Sequence, residues 1–277
     1  MKIGFISSVE IGKKCIPTIY EQGYQLDLLL TIPDNAQKEN SGRVYFDDFS
    51  NFYNFPIYKF HDLNILEVKK LIIKKKITHF FVIGWSQLIK NYILSINNVK
   101  FFGMHPSPLP IGRGRAPIPN SIIFNLKKTA VSLFEIDEGV DSGPIIDQEF
   151  ITLNTSSTST LLYKKSIEAH KLILRRNLDF ICKNKYLVKK QDESKATYWP
   201  KRSPKDSEIK NHHSINEALR LFNACKDPYP NSFVNIGNYK YLLYDVEFKK
   251  IVKKKNDMIF ELTDGYLYMK NYKKIRL

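Results

Sequence analysis

The chain is poor in cysteine, and its apolar runs are short. Three cysteines, Cys15, Cys182 and Cys225, stand far apart and are odd in number. That argues against a disulfide framework and against a zinc site, and no metal is expected. A reducing cytoplasm is the compartment that fits. The longest apolar runs, such as 28–32 and 79–83, fall far short of a membrane span. The chain opens on a strand-like run at 3–6 with no signal peptide ahead of it. No G-x-G-x-x-G follows that strand, so a dinucleotide fingerprint is absent. Internal repeats and low-complexity linkers are absent too.

What is present is an ordinary globular composition, 43% hydrophobic and 26% charged. At 277 residues the chain is long enough for a core and for two domains. Its 43 Lys and Arg against 28 Asp and Glu leave a net charge of +15. Such a surface attracts nucleic acid or a phosphorylated small molecule. A chain-wide bias toward Lys, Ile and Asn explains the charge equally well. The lysine runs 74–76 and 253–255 read as solvated ends of elements.

The first half alternates strands and helices. Strands are expected at 2–7, 25–32, 56–60, 78–84 and 100–104. Helices are expected at 9–23, where Ile11, Cys15, Ile16, Ile19 and Tyr20 share a face, and at 63–76. The polar stretch 33–43 reads as a loop. This order predicts a parallel sheet flanked by helices, with ligands beyond the carboxyl ends of its strands. Two segments sit there: 84–89, Gly-Trp-Ser-Gln-Leu-Ile, and His105 onward. Strands at 130–136 and 144–153 read as a hairpin, and 157–183 as a long amphipathic helix. After a crossing at 196–204 comes a helix at 215–225, then strand-like runs at 232–236, 241–248, 258–262 and 265–269. The turn pairs Gly237-Asn238 and Asp264-Gly265 support a small β-rich domain. The expected fold class is α/β: a Rossmann-like domain over 1–200 with a mostly parallel sheet, then a small, partly β, OB-like domain over 201–277.

Two segments carry chemistry. The first is His105-Pro106-Ser107-Pro108-Leu109-Pro110-Ile111-Gly112-Arg113-Gly114-Arg115-Ala116-Pro117. Prolines stiffen this loop, and its glycines allow close backbone approach. The second is the acidic turn Asp137-Glu138-Gly139-Val140-Asp141-Ser142-Gly143-Pro144. Taken singly, a surface loop and an ordinary hairpin turn would explain them. Together they bring a histidine and a carboxylate to one end of a sheet. Acyl transfer to an amine needs such a pair: a base for the amine proton, a carboxylate to orient it, and a donor for the oxyanion.

These segments resemble those of the folate-dependent formyltransferases, which act on charged initiator tRNA, on glycinamide ribonucleotide or on amino sugars. The resemblance covers nearly the whole chain, extending to 196–202 and 227–232. It implies catalytic roles for His105 and Asp141 and 10-formyltetrahydrofolate as the formyl donor. The pterin would lie against Trp85, Gln87, Leu88 and Ile89 on one side and Glu138, Gly139, Val140 and Asp141 on the other. Ser107, Arg113, Gly114 and Arg115 would hold the substrate, with Tyr198, Trp199 or Tyr229 stacking on a base. The family's Asn two residues before the histidine is Gly103 here. Loss of one oxyanion donor costs about 100- to 1000-fold in rate. Asn120, a protonated His105 or a water are the candidate substitutes. A non-catalytic folate or nucleotide-sugar binding protein stays open as an alternative.

The short, nearly neutral loop at 33–43 and a second domain of some seventy residues weigh against tRNA, for which binding is dominated by phosphates. The second domain also counts against the purine-pathway enzyme. The expected acceptor is therefore the amine of an amino sugar, nucleotide-linked, for a surface glycan. The methionyl-tRNA enzyme is the alternative. No membrane association is expected, and the second domain is a candidate homodimer interface.

Overall fold

The structure is a computed structural model that describes residues 1–36, 42–251 and 258–277. Part of the expected loop at 33–43 and the lysine run 253–255 lie outside the described residues. The elements in chain order are β1 (Ile3–Ile6), α1 (Glu10–Glu21), β2 (Leu26–Thr31), α2 (Asp47–Tyr53), β3 (Ile57–Lys59), α3 (Leu66–Lys75), β4 (His79–Ile83), α4 (Asn91–Leu94), β5 (Lys100–His105), β6 (Arg113–Gly114), α5 (Pro117–Ile123), β7 (Lys128–Glu135), β8 (Ile145–Thr152) and α6 (Ser159–Cys182). They continue with β9 (Tyr198–Trp199), α7 (Ile215–Ala224), β10 (Phe233–Ile236), β11 (Tyr239–Lys249), β12 (Ile259–Leu262) and β13 (Gly265–Arg276). Two compact units result. One comprises Met1–Pro117, Lys128–Thr152 and Tyr163–Trp199. The other comprises Ile118–Lys127, Leu153–Leu162 and Pro200–Leu277.

The first unit holds a seven-stranded sheet in the order β3-β2-β1-β4-β5-β7-β8. Strands β1 to β5 run parallel; β7 is antiparallel to β5, and β8 to β7. The mostly parallel sheet read from the sequence is thus present, closed on one edge by the expected hairpin. Strands β1 and β4 are buried along their whole length, as parallel strands covered on both faces must be. In α1 the buried residues include Ile11, Cys15, Ile16 and Ile19, the face expected from spacing. Val68 and Ile72 of α3 and Ile93 of α4 pack into one cluster with Ile6, Leu28, Phe80 and Phe101. Lys74 and Lys75 close the last turn of α3, where cations complement the carbonyl end of the helix.

Three helices escape the sequence reading. The short α2 and α4 are too brief for a periodic signal. In α5, Pro117 and Pro119 occupy the first turn, where the missing N–H groups have no intrahelical partner in any case. A Pro-rich stretch that reads as loop is therefore partly helix.

The second unit contains a four-stranded antiparallel sheet, β10-β11-β13-β12. Leu221, Phe222, Val234, Leu243 and Leu267 form its core. Helix α7 starts on a capping box in which the Ser214 hydroxyl and the Glu217 carboxylate satisfy each other's backbone N–H. All three cysteines are free and buried. No helix among the described residues is long and apolar enough to cross a membrane.

Candidate active site

His105 is the last residue of β5, so the strand's buried, continuous pairing with β4 and β7 fixes where its imidazole starts. The side chain is 11% exposed. Its Nε2 lies 2.9 Å from the carbonyl oxygen of Gly112. A carbonyl only accepts, so Nε2 carries the proton and donates it. The other nitrogen, Nδ1, faces the Asp141 carboxylate, 3.6 Å from Oδ2. That is an ion-pair distance, beyond hydrogen-bond range.

Asp141 reaches this place through an unusual backbone. Its φ is +50°, a left-handed conformation uncommon for a residue with a Cβ. Oδ2 accepts the Gly114 N–H at 2.8 Å, so the Gly-Arg-Gly-Arg loop and the acidic turn meet on one carboxylate. The turn is further tied by Asp137, whose Oδ1 accepts from the Gly139 N–H and the Ser142 hydroxyl.

The pair borders a cleft at the carboxyl ends of β4 and β5. Its walls include Val82, Trp85, Gln87, Leu88, Ile89, Gly103, Phe134, Ile136, Asp137, Gly139 and Asp141. Of the residues expected around a pterin, Trp85, Gln87, Leu88, Ile89, Gly139 and Asp141 line this cleft. Glu138 and Val140 are exposed and outside that lining. Gln87 donates its amide to the His61 carbonyl. The Trp85 indole N–H is buried and has no hydrogen-bond partner among the described residues.

Arg113, expected to hold the substrate, lies inside the protein. It is completely buried, and its guanidinium is spent inside the protein. Nε and Nη2 donate to Gln191 Oε1 at 3.1 and 2.9 Å. Nη2 and Nη1 donate to the two Glu193 oxygens at 2.6 and 2.9 Å, and Nη1 also reaches the Tyr198 hydroxyl. Its hydrogen bonds to the Glu193 carboxylate raise the guanidinium's pKa further, and Arg113 in turn lowers that of Glu193. Trp199 is buried too, its ring lying over Gly112, so it packs rather than stacks on a ligand. Strands β6 and β9 explain both corrections. Their parallel pairing zips residues 112–115 onto 197–199, and two-residue strands leave no trace in a sequence pattern. Gly114 permits the approach: a Cβ there would stand 2.7 Å from the Trp199 carbonyl oxygen.

Ser107 is fully buried, and its hydroxyl has no partner among the described residues, so it offers a ligand no surface. Arg115 is half-buried and donates to the Ser86 carbonyl. Tyr198 is exposed. Asn120 is buried in α5, which belongs to the second unit but for Pro117. Tyr229 also lies in the second unit. At Gly103 the space is taken by Phe134, so position 103 supplies no side-chain donor. Nothing in the sequence pointed to Phe134 or Gln191, which read as core and as polar loop; Asp137 was named only as part of the acidic turn.

A family model described as formyl transferase matches residues 13–178. A methionyl-tRNA formyltransferase of Kosmotoga olearia is 25% identical over 248 residues, 88% of this chain and 79% of that protein. The bifunctional polymyxin resistance protein ArnA of Wigglesworthia glossinidia brevipalpis is 28% identical over the same length, 88% of this chain but only 37% of that protein. A solved N-formyltransferase from Helicobacter canadensis, in complex with folinic acid and dTDP-3-aminofucose, matches with a TM-score of 0.73 at 18% identity. That match covers 99% of this chain and 100% of the other, and at such identity it speaks for the fold.

Proposed function

The chain belongs to the formyl transferase family, and from that premise we propose that it transfers a formyl group from 10-formyltetrahydrofolate to the amine of a nucleotide-linked amino sugar. The observation that carries this reading is the His105–Asp141 pair, 3.6 Å apart at the border of a cleft beyond the ends of parallel strands. The sugar is favoured by the solved N-formyltransferase that matches over nearly the full length of both chains, whose complex holds folinic acid and dTDP-3-aminofucose. Glycan assembly in the cytoplasm is the setting that suits such a product and three free thiols.

The cleft suits a flat heteroaromatic ring with a hydrogen-bonding edge. Val82, Trp85, Phe134 and Ile136 give apolar walls, while Gln87, Asp137 and Asp141 give a polar rim. Bound there, the folate would supply the formyl carbon. The amine nitrogen of the acceptor would bond to that carbon and shed a proton, while the bond from the formyl carbon to the folate nitrogen breaks and that nitrogen takes up a proton, giving tetrahydrofolate. Because Nε2–H is committed to Gly112, the neutral ring of His105 has its lone pair on Nδ1, the atom assigned to take the amine proton. The Asp141 carboxylate then faces the charged ring. Gly114 holds the carboxylate in place through its N–H. Arg115 and Tyr198 remain as sugar-side contacts.

The relative from Kosmotoga olearia favours a second reading, methionyl-tRNA as the formyl acceptor. One assay separates the two. The protein is given 10-formyltetrahydrofolate with a panel of dTDP- and UDP-linked amino sugars, or with charged initiator tRNA, and tetrahydrofolate release is followed. Turnover with a sugar and none with tRNA is expected. The reverse pattern would replace the sugar reading with the tRNA one.

A further inference from the structure

Gln191 lies outside the His105–Asp141 pair but holds the backbone that builds it. It is 5% exposed and makes four hydrogen bonds. Oε1 accepts from Arg113 Nε and Nη2 at 3.1 and 2.9 Å. Nε2 donates to the carbonyls of Asp141 and Gly143 at 2.8 and 2.7 Å. That is the full capacity of a side-chain amide, two acceptor sites and two donors. The amide has one workable orientation. Arg113 offers only donors, so the oxygen must face it and the NH2 must face the two carbonyls.

Placement of Gln191 follows from the chain around it. Lys189 pairs antiparallel with Ile145, exchanging backbone hydrogen bonds of 2.8 and 2.7 Å. This lays 189–191 beside the start of β8, next to the acidic turn. Arg113 is itself oriented by Glu193 and Tyr198. The two donated bonds therefore hold the carbonyl of Asp141, the residue of the turn whose φ is +50°, and the carbonyl of Gly143 two residues further on. Such a conformation persists at a non-glycine residue where its surroundings over-determine it.

We propose that Gln191 is a positioning residue for formyl transfer: it locks the Asp141 backbone in the left-handed conformation and so keeps the carboxylate facing His105 Nδ1. The proposal rests on the role given above to the His105–Asp141 pair. Displacement of a reacting group by about 1 Å costs on the order of 100-fold in rate, so loss of this lock should appear in kcat.

The test uses two variants of the full chain, with their fold checked by circular dichroism. Gln191→Glu is nearly isosteric and still accepts from Arg113, but cannot donate to the two carbonyls. Gln191→Asn adds no charge but is one methylene too short to span from Arg113 to the turn. Both should lower kcat by about 10- to 100-fold and leave KM for donor and acceptor within about twofold. Nitrogen-15 NMR of the imidazoles, with the His105 signals assigned through His105→Gln, gives a readout independent of turnover. Both variants should displace the His105 Nδ1 signal in the same sense as Asp141→Asn. Unchanged His105 signals in a folded variant, or kcat within twofold of wild type, would overturn the proposal. If the wild type transfers no formyl group, the functional reading fails and the NMR comparison alone decides the role of Gln191.

Discussion

Phe134 occupies the space into which a side chain at position 103 would project. The two residues are register partners across β5 and β7, and a Cβ built on Gly103 would stand 2.6 Å from Phe134 Cζ and 2.7 Å from Cε1. Glycine at 103 and phenylalanine at 134 are therefore one packing solution. Restoring asparagine alone, as Gly103→Asn, should destabilise by about 1–3 kcal/mol through overpacking. Combined with Phe134→Ala, the same change should cost less than the sum of the two single changes. A coupling of about 1 kcal/mol or more in a urea double-mutant cycle is expected. Additive single effects would show that the two positions do not compete for space.

His105 and Asp141 differ in what their removal should do. His105→Ala deletes the atom assigned to accept the amine proton, and kcat should fall by about 100- to 10,000-fold. Asp141→Asn keeps an oxygen for the Gly114 N–H but loses the charge facing Nδ1. Its kcat should fall less, with KM little changed. Initial rates against both substrates check this. A His105→Ala enzyme with most of its activity would remove the histidine from the mechanism.

Arg113 separates a structural from a ligand-binding role. A guanidinium that clamped phosphate would raise KM when lost. Here it is buried and bonded to Gln191, Glu193 and Tyr198. Arg113→Met should leave KM for the nucleotide sugar within about twofold. It should lower stability by about 1–3 kcal/mol, because Gln191 Oε1 loses both its donors. Glu193 is 61% exposed and is resolvated, which keeps the loss modest. A large rise in KM at unchanged stability would restore Arg113 as a substrate contact.

Much of the fold was legible because it rests on local periodicity. The five parallel strands stand out as short apolar runs, and α1 and α6 as amphipathic stretches. His105 and Asp141 were singled out by the resemblance of their two segments to a known family, and the structure brings their side chains within 3.6 Å of each other. Interactions that depend on distant pairing were not legible. Arg113 looked free because its partners Gln191, Glu193 and Tyr198 lie about eighty residues on, brought alongside by β6 and β9. Trp199 looked like a stacking platform until Gly112 was found beneath its ring. Phe134 reads as one more core aromatic, and only register shows it filling position 103. Gln191 sits in a lysine-rich polar stretch and carries no pattern at all.

His170 makes stability depend on pH in one direction. It is buried in α6, with Nδ1 2.6 Å from the Ser166 carbonyl. Burial lowers its pKa from 6.5 to about 4; hydrogen bonds to the Ser166 and Met104 backbone oppose this, and the charge of His105 adds to it. Between those values the unfolded chain binds a proton that the folded chain excludes. Stability contributed by the neutral ring is thus complete above about pH 6.5 and is lost as pH falls toward 4. By pH 5 the loss is on the order of 2 kcal/mol. Burial also lowers the pKa of His79, which acts in the same sense. His170→Gln keeps a donor for the Ser166 carbonyl and cannot titrate. Urea unfolding at pH 7 and pH 5 should show a smaller acid-induced loss for this variant than for wild type, by about 2 kcal/mol. An identical loss in both proteins would mean that the acid sensitivity arises elsewhere.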